Sequence, residues 1–218
     1  MRESPLNAPF HPVESTPAKL NRRQAAKLRT RQKVLEAART LFAERGYEPA
    51  TIRDIARTAG MSTGAVFANF QDKAELFEAV LGEEMETAAA TLRAAAQVEG
   101  PVQTRLVAAL SAGYADTLDR LPLVQAIVAR SWFQPVPAEM RARATTKPLL
   151  MILGEVLRDG VRAGELSDQA DIRLLSEMIW DVYLSNYRKA AYDGWSVDTL
   201  SARLAEQLGV ILGGARAA

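Results

Sequence analysis

The residues with the clearest chemical meaning lie between Thr51 and Lys73, where hydroxyl groups, a carboxylate and cations stand at the starts of successive helices. Thr51, Ser62 and Asp72 are each placed to cap a helix N-terminus. Arg53 and Lys73 then lie in first helical turns, where a cation faces the positive end of the helix dipole at a cost of roughly 0.3–1 kcal/mol. A bound phosphate would reverse that cost, so the pattern predicts a surface for a nucleic-acid backbone.

The segment between these caps is predicted to be a helix-turn-helix, with Gly60 supplying a positive φ in the turn. Small residues form one side of its second helix: Thr63, Gly64, Ala65 and Ala68. Gly64 costs about 1 kcal/mol relative to Ala inside a helix, so it needs a packing or docking reason. A helix backbone that approaches DNA closely supplies one. The alternative is an arbitrary helical hairpin inside a bundle.

A basic segment precedes this unit. Residues 19–33 contain no acid and these cations: Lys19, Arg22, Arg23, Lys27, Arg29, Arg31 and Lys33. Such a block by itself is typical of a solvated helix face. Its place directly before the helix-turn-helix favours a role in following the DNA backbone or entering a minor groove.

Residue counts disfavour a helical enzyme, which is the second class of function to consider. The chain has no Cys, and its single His, His11, lies in a Pro-rich leader. Disulfides, thiolate nucleophiles, His-based dyads and Cys-ligated metals are thereby excluded, and we expect no catalytic residue, cofactor or metal. There is no secretory signal and no apolar run that could span a bilayer, so we expect a cytoplasmic protein without a membrane partner.

Apolar periodicity predicts an all-α fold of about nine helices. Residues 1–26 are predicted to be a disordered basic leader, residues 27–80 a three-helix DNA-binding domain, and residues 81–218 a larger helical domain, whose ligand-binding and dimerisation roles are implied by the family resemblance given below. Pro and Gly breaks divide the chain into predicted helices at 27–45, from Thr51, 62–70, 72–98, 102–119, 122–133, 138–162, 168–192 and 196–213, with a possible break at Pro148.

The stretch TIRDIARTAGMSTGAVFANFQDKAEL (residues 51–76), preceded by ERGYEPAT, resembles the DNA-binding signature of the TetR family of bacterial regulators. The resemblance covers residues 27–80; beyond them only length, helical content and helix order agree. It implies that the third helix enters the major groove of a double-stranded operator. The implied DNA-binding residues are Thr51, Arg53, Ser62, Thr63, Gly64, Ala65, Phe67, Asn69 and Lys73. The sequence departs from the family pattern at Phe67, where Tyr is common, and at Asn69, where His or Tyr is common.

The resemblance also implies a homodimer whose last two helices form a four-helix bundle. The sequence has matching apolar stripes there, and they give this predicted interface: Ile172, Leu175, Ile179, Val182, Leu200, Leu204, Leu208 and Ile211. The alternative is that both faces of these helices belong to the core of one chain.

A ligand pocket is the last implied feature, and its candidates are the aromatic and Met residues of the second domain: Met85, Tyr114, Trp132, Phe133, Met151, Trp180, Tyr183 and Tyr187. The alternative for each is plain core. The predicted function is a repressor released from a palindromic operator by a small-molecule effector. The competing hypothesis is a DNA-binding regulator that a protein partner controls, or that has no ligand control.

Overall fold

The computed structural model describes residues 21–216, and the predicted all-α fold is confirmed. The helices of this range are α1 (Arg22–Arg45), α2 (Ile52–Thr58), α3 (Thr63–Phe67), α4 (Lys73–Ala95), α5 (Val102–Thr117), α6 (Leu121–Phe133), α7 (Val136–Arg162), α8 (Ile172–Asp193) and α9 (Val197–Gly213). A 3₁₀ turn at Leu118–Arg120 joins α5 to α6. None of these helices combines the length and the apolar character that crossing a membrane requires.

Helix α1 begins at Arg22 because Asn21 and Gln24 form a reciprocal capping box. Each backbone N–H donates to the other residue's side chain, at 3.1 and 2.9 Å. The predicted leader of residues 1–26 is therefore wrong at its end, since residues 22–26 are helical. The first turns of α1 lack an apolar stripe, so periodicity could not find them. Residues 1–20 of the leader, with His11 and Lys19, lie outside the described residues.

The described helices enclose two hydrophobic cores. The first core lies among α1, α2, α3 and the start of α4, and includes Phe42, Ile55 and Val66. The second lies among α5, α7, α8, α9 and the end of α4. Helix α4 contributes Leu76 to the first core and Leu92 to the second, so it is a rigid connection about 35 Å long between them.

Helix α6 makes a second connection, because its Leu123 is buried in the first core while Val124 packs against the second. A movement of either α4 or α6 would therefore also displace residues that pack against the helix-turn-helix.

Helix α7 is continuous through Pro148, where the sequence left a possible break. Pro148 lies on the exposed side of the helix, where water can hydrogen-bond the carbonyl that proline leaves without a donor.

The predicted dimer stripes are largely wrong as an interface. Five of the eight residues are buried in the chain's own second core: Leu175, Ile179, Leu200, Leu204 and Leu208. A stripe with helical period shows that a face is buried, and it does not show against what. The other three, Ile172, Val182 and Ile211, are only partly buried. The apolar side chains that α8 and α9 leave exposed are Leu174, Met178 and Val210.

Candidate DNA-binding surface and ligand cavity

The helix-turn-helix is built by local hydrogen bonds. The hydroxyl of Thr51 accepts from the N–H of Asp54 at 3.1 Å, and that of Ser62 accepts from Ala65 at 3.2 Å, so both predicted caps are confirmed. Between α2 and α3, Gly60 has φ 67°, the left-handed conformation that favours glycine. Helix α3 is shorter than predicted, ending at Phe67 instead of residue 70.

The predicted DNA-binding residues all lie outside the first core. Six are exposed: Thr51, Arg53, Ser62, Thr63, Gly64 and Phe67. Ala65, Asn69 and Lys73 are partly buried. Helix α3 is held by Val66, which is fully buried, and so presents its small residues to solvent. A Cβ on Gly64 would meet only the Ser62 hydroxyl, at 3.7 Å. Packing within the chain therefore does not require glycine at this position.

Lys73 does not need a phosphate to offset its place at the helix start. Its ammonium donates to the backbone carbonyls of Tyr47 and Glu48 at 3.0 and 3.2 Å and lies 4.1 Å from the centre of the Tyr47 ring. These bonds tie the start of α4 to the turn after α1. The argument from the helix dipole therefore fails for Lys73, because the chain itself supplies the compensating acceptors.

Asn69 is also engaged within the chain. The side-chain amide of Asn69 donates to the Ala65 backbone carbonyl at 2.9 Å. The backbone carbonyl of Asn69 accepts from the Arg31 guanidinium at 3.0 Å. The Arg31 guanidinium lies 4.1 Å from the centre of the Phe70 ring. Arg31, one member of the basic segment, is thus an anchor between α1 and the end of the helix-turn-helix.

A cavity of about 810 Å³ lies between α4, α6, α7 and α8. Half of the predicted ligand residues line it: Met85, Trp180, Tyr183 and Tyr187. The other four are wrong as lining residues. Tyr114 is fully buried in the core behind the cavity, and the side chains of Trp132, Phe133 and Met151 face solvent, the first two 80% and 90% exposed. Composition cannot show which way an aromatic side chain at a helix end points.

Three tyrosines form the wall of this cavity and the core behind it. The rings of Tyr114 and Tyr183 stack with centroids 4.5 Å apart. The Tyr183 and Tyr187 hydroxyls are 2.8 Å apart, and Tyr187 continues to the Thr117 hydroxyl at 2.6 Å. Burial raises the pKa of all three phenols, so they are neutral hydrogen-bonding groups at physiological pH.

A charged group that sequence analysis missed lies in the same cavity. Glu84 of α4 and Arg120 form an ion pair on the cavity wall, and the side chain of Glu84 is only 11% exposed. The other Glu84 oxygen lies 2.9 Å from Nε of Arg39 on α1. Glu83 pairs with the same Arg39. Nothing in the local sequence distinguishes these residues from an ordinary solvated helix face.

Comparisons with known proteins agree with this arrangement. Residues 34–80 match the family described as bacterial regulatory proteins, tetR family. A stretch of 54 residues is 52% identical to the HTH-type transcriptional repressor AcnR of Corynebacterium diphtheriae, covering 25% of this chain and 28% of that protein. The chain thus matches little more than a quarter of that relative's length. A longer match is to the HTH-type transcriptional repressor BepR of Brucella suis, which is 27% identical over 158 residues. It covers 69% of this chain and 75% of BepR.

The solved structure of the transcriptional regulator FadR from Bacillus subtilis, in complex with stearoyl-CoA, superposes with a TM-score of 0.72. It covers 84% of this chain and 98% of that one at 20% identity, so the likeness is one of fold. The helix-turn-helix matches in sequence and the described helices match in fold. Residues 34–80 are thus similar in sequence to the tetR family of bacterial regulatory proteins.

Proposed function

We propose that this protein is a transcriptional repressor that binds a palindromic DNA operator as a homodimer and releases it when a lipophilic molecule occupies the cavity. The observation that carries the proposal is the course of α4. This helix starts beside the helix-turn-helix, where Lys73 is bonded to the turn after α1, and runs along the cavity to Leu92. A ligand that displaces α4 therefore also displaces α3.

The DNA-binding surface in this proposal is the exposed side of α3 with the starts of α2 and α4. Thr63 and Ala65 face the bases of the major groove, and Gly64 lets the backbone come close. Thr51, Arg53, Ser62 and Phe67 lie beside the sugar-phosphate backbone, with Asn69 and Lys73 at its edge. The named relatives AcnR and BepR are transcriptional repressors, which supports repression over catalysis and a place in the cytoplasm.

The second subunit docks, in this proposal, on the face of α8 and α9 that this chain leaves open. Leu174 and Met178 are one turn apart on α8, and Val210 on α9 is 81% exposed. Exposed apolar side chains on adjacent helices are typical of a surface that binds another subunit. A dimer of this kind places two α3 helices about one DNA turn, roughly 34 Å, apart.

The cavity supports a lipophilic ligand because apolar side chains make up much of its wall, among them Leu81, Met85, Leu92, Leu149 and Leu184. It follows α4 from Glu75 to Leu92, a distance of about 25 Å along the helix axis. A neighbour in fold, FadR of Bacillus subtilis, holds stearoyl-CoA, an elongated molecule. An elongated shape also suits the cavity of this chain.

Selection of binding sites from a random pool of duplex DNA tests the proposal. We expect a pseudo-palindrome with half-sites about one helical turn apart, and an affinity that falls steeply with salt because Lys and Arg contacts release counterions. Failure to enrich any sequence, or full affinity for a single half-site, would contradict it.

A further inference from the structure

The cavity wall has one polar patch among its apolar residues. It consists of Glu84, Thr117, Arg120 and Tyr187, all of which line the cavity. Glu84 is shared between two guanidiniums: one oxygen contacts Arg120, and the other contacts Arg39 on α1 in the DNA-binding domain. The polar patch therefore connects the cavity to α1 through a single residue, Glu84.

The charge balance around the cavity indicates which head group a ligand carries. Four arginines line it, and each has a partner among the described residues. Arg120 contacts Glu84 and Asp116, and the Asp116 carboxylate is 3.2 Å from it. Arg141 forms two bonds of 2.8 Å with Glu78.

The remaining two are engaged as well. Arg143 pairs with Glu139 at 2.7 Å, and Arg130 lies 4.1 Å from the centre of the Tyr47 ring. Carboxylates and an aromatic ring thus balance the arginines, which by themselves do not select an anionic ligand.

Carboxylates line the same cavity in excess of the arginines: Glu75, Glu78, Glu84, Glu139, Glu177 and Asp181. The rings of Trp180, Tyr183 and Tyr187 line the same cavity, and the centres of the Trp180 and Tyr183 rings are 5.3 Å apart. Aromatic faces attract cations through the ring quadrupole, and a partly buried carboxylate attracts them through its charge. Both features favour a positive group over a negative one.

We propose that the cavity binds a lipophilic amine, and that Glu84 in the polar patch holds its ammonium group. The ammonium takes from Arg120 the Glu84 oxygen that Arg120 contacts, and Arg120 keeps its bonds to Asp116. Glu84 then moves toward the ligand and loosens its contact with Arg39, which frees α1 to shift against α4. This inference rests on the proposed repressor function for its last step only; binding of the amine does not depend on it.

Calorimetry with three probes of equal chain length tests the binding step at pH 7: decylamine and decanoate, each below its micelle concentration, and 1-decanol below its solubility limit. An alkyl amine is protonated there and a carboxylic acid is ionised. We expect decylamine to bind at least tenfold more tightly than either of the others. Equal or tighter binding of decanoate overturns the proposal.

Two variants and a control locate the head group. Glu84→Gln is expected to raise the Kd of decylamine about tenfold, to that of decanol, whereas Arg120→Gln is expected to lower it, because Glu84 loses its competitor. Glu86, exposed on the same helix, provides the control Glu86→Gln, which should change nothing. If Arg120→Gln weakens binding as much as Glu84→Gln does, the patch is structural and the proposal fails.

The coupling step is measured separately on the selected operator. Decylamine is expected to lower the operator affinity of the natural chain. Arg39→Gln is expected to reduce the ratio of operator affinities without and with decylamine, and also to lower the Kd of decylamine, because Glu84 loses a second competing guanidinium. Loss of operator selection altogether speaks against the repressor function. Amine binding without any effect on an operator that is bound speaks against the coupling through Arg39.

Discussion

A Cβ atom on Gly113 would lie 2.5 Å from the hydroxyl oxygen of Tyr183. The Tyr183 side chain of α8 can reach the backbone of α5 because residue 113 has no side chain. The Tyr183 hydroxyl also lies 2.8 Å from that of Tyr187, at the start of the hydrogen-bonded row that ends at Thr117. Gly113 thus leaves the space that Tyr183 occupies in the cavity wall.

Gly113→Ala is expected to lower the free energy of unfolding by about 1–3 kcal/mol, the usual cost of inserting a methyl group into a packed core. Urea denaturation measures it. Gly82→Ala is the control, since Gly82 is also helical but a Cβ there meets no atom within 4 Å. The free energy of unfolding of Gly82→Ala should increase by up to about 1 kcal/mol, because Ala has a higher helix propensity than Gly. Equal losses in both variants would show that the contact between the Tyr183 hydroxyl and Gly113 is unimportant.

The buried phenols predict a loss of stability in alkali. The pKa of Tyr183 is raised in the folded chain, chiefly by burial, so folding favours its neutral form. Its contribution is complete below the unfolded pKa of about 10 and is lost as the pH rises above that value. Unfolding free energies at pH 8 and pH 11 should differ less in Tyr183→Phe than in the natural chain. Tyr192 is 77% exposed, so Tyr192→Phe should keep the natural pH dependence.

Gly64→Ala is expected to change stability and DNA affinity in opposite directions. A methyl group there meets only the Ser62 hydroxyl at 3.7 Å, so the melting temperature should rise slightly through helix propensity. The same methyl group would face the duplex and hinder the approach of α3, so affinity for the selected operator should fall. A variant with higher stability and unchanged affinity would place the DNA elsewhere.

Local interactions explain why much of the fold was predictable. Thr51, Ser62 and Asp72 each accept a backbone N–H three residues later, as their types and spacing indicated. Gly46 and Gly60 likewise end α1 and α2 with positive φ. Caps and turns depend on neighbours within four residues, which the sequence displays directly.

Features that depend on distant residues were not predictable. Arg120 meets Glu84 across 36 positions, and neither residue has an unusual neighbourhood in the chain. Leu204 belongs to a regular stripe in either environment, whether its partner is α5 of the same chain or another subunit. Trp132 and Tyr183 are both aromatic residues of amphipathic helices, yet one is 80% exposed and the other 4%.

Lys73→Ala is expected to destabilise the chain as well as to weaken DNA binding, because the ammonium is bonded to the carbonyls of Tyr47 and Glu48. If Lys73 also contacts a phosphate, the slope of log affinity against log salt should decrease by about one. A lower affinity with an unchanged slope would assign Lys73 a structural role alone. Thr63→Ala is the comparison: it should alter base preference at one position of each half-site and keep the slope.

Charge on α9 should have two different outcomes that depend on the face that carries it. Leu204 is fully buried in the second core, so Leu204→Glu leaves an unpaired carboxylate inside the chain and is expected to unfold it. Val210 is 81% exposed, so Val210→Glu should leave the fold intact, with natural circular dichroism, and separate the subunits. Light scattering should then report a monomer, and affinity for the palindrome should fall to that for a single half-site. Ala90→Glu, at an exposed position of α4, adds the same charge away from α8 and α9 and should leave the dimer intact. A folded dimer in Val210→Glu would move the interface away from the exposed face of α8 and α9.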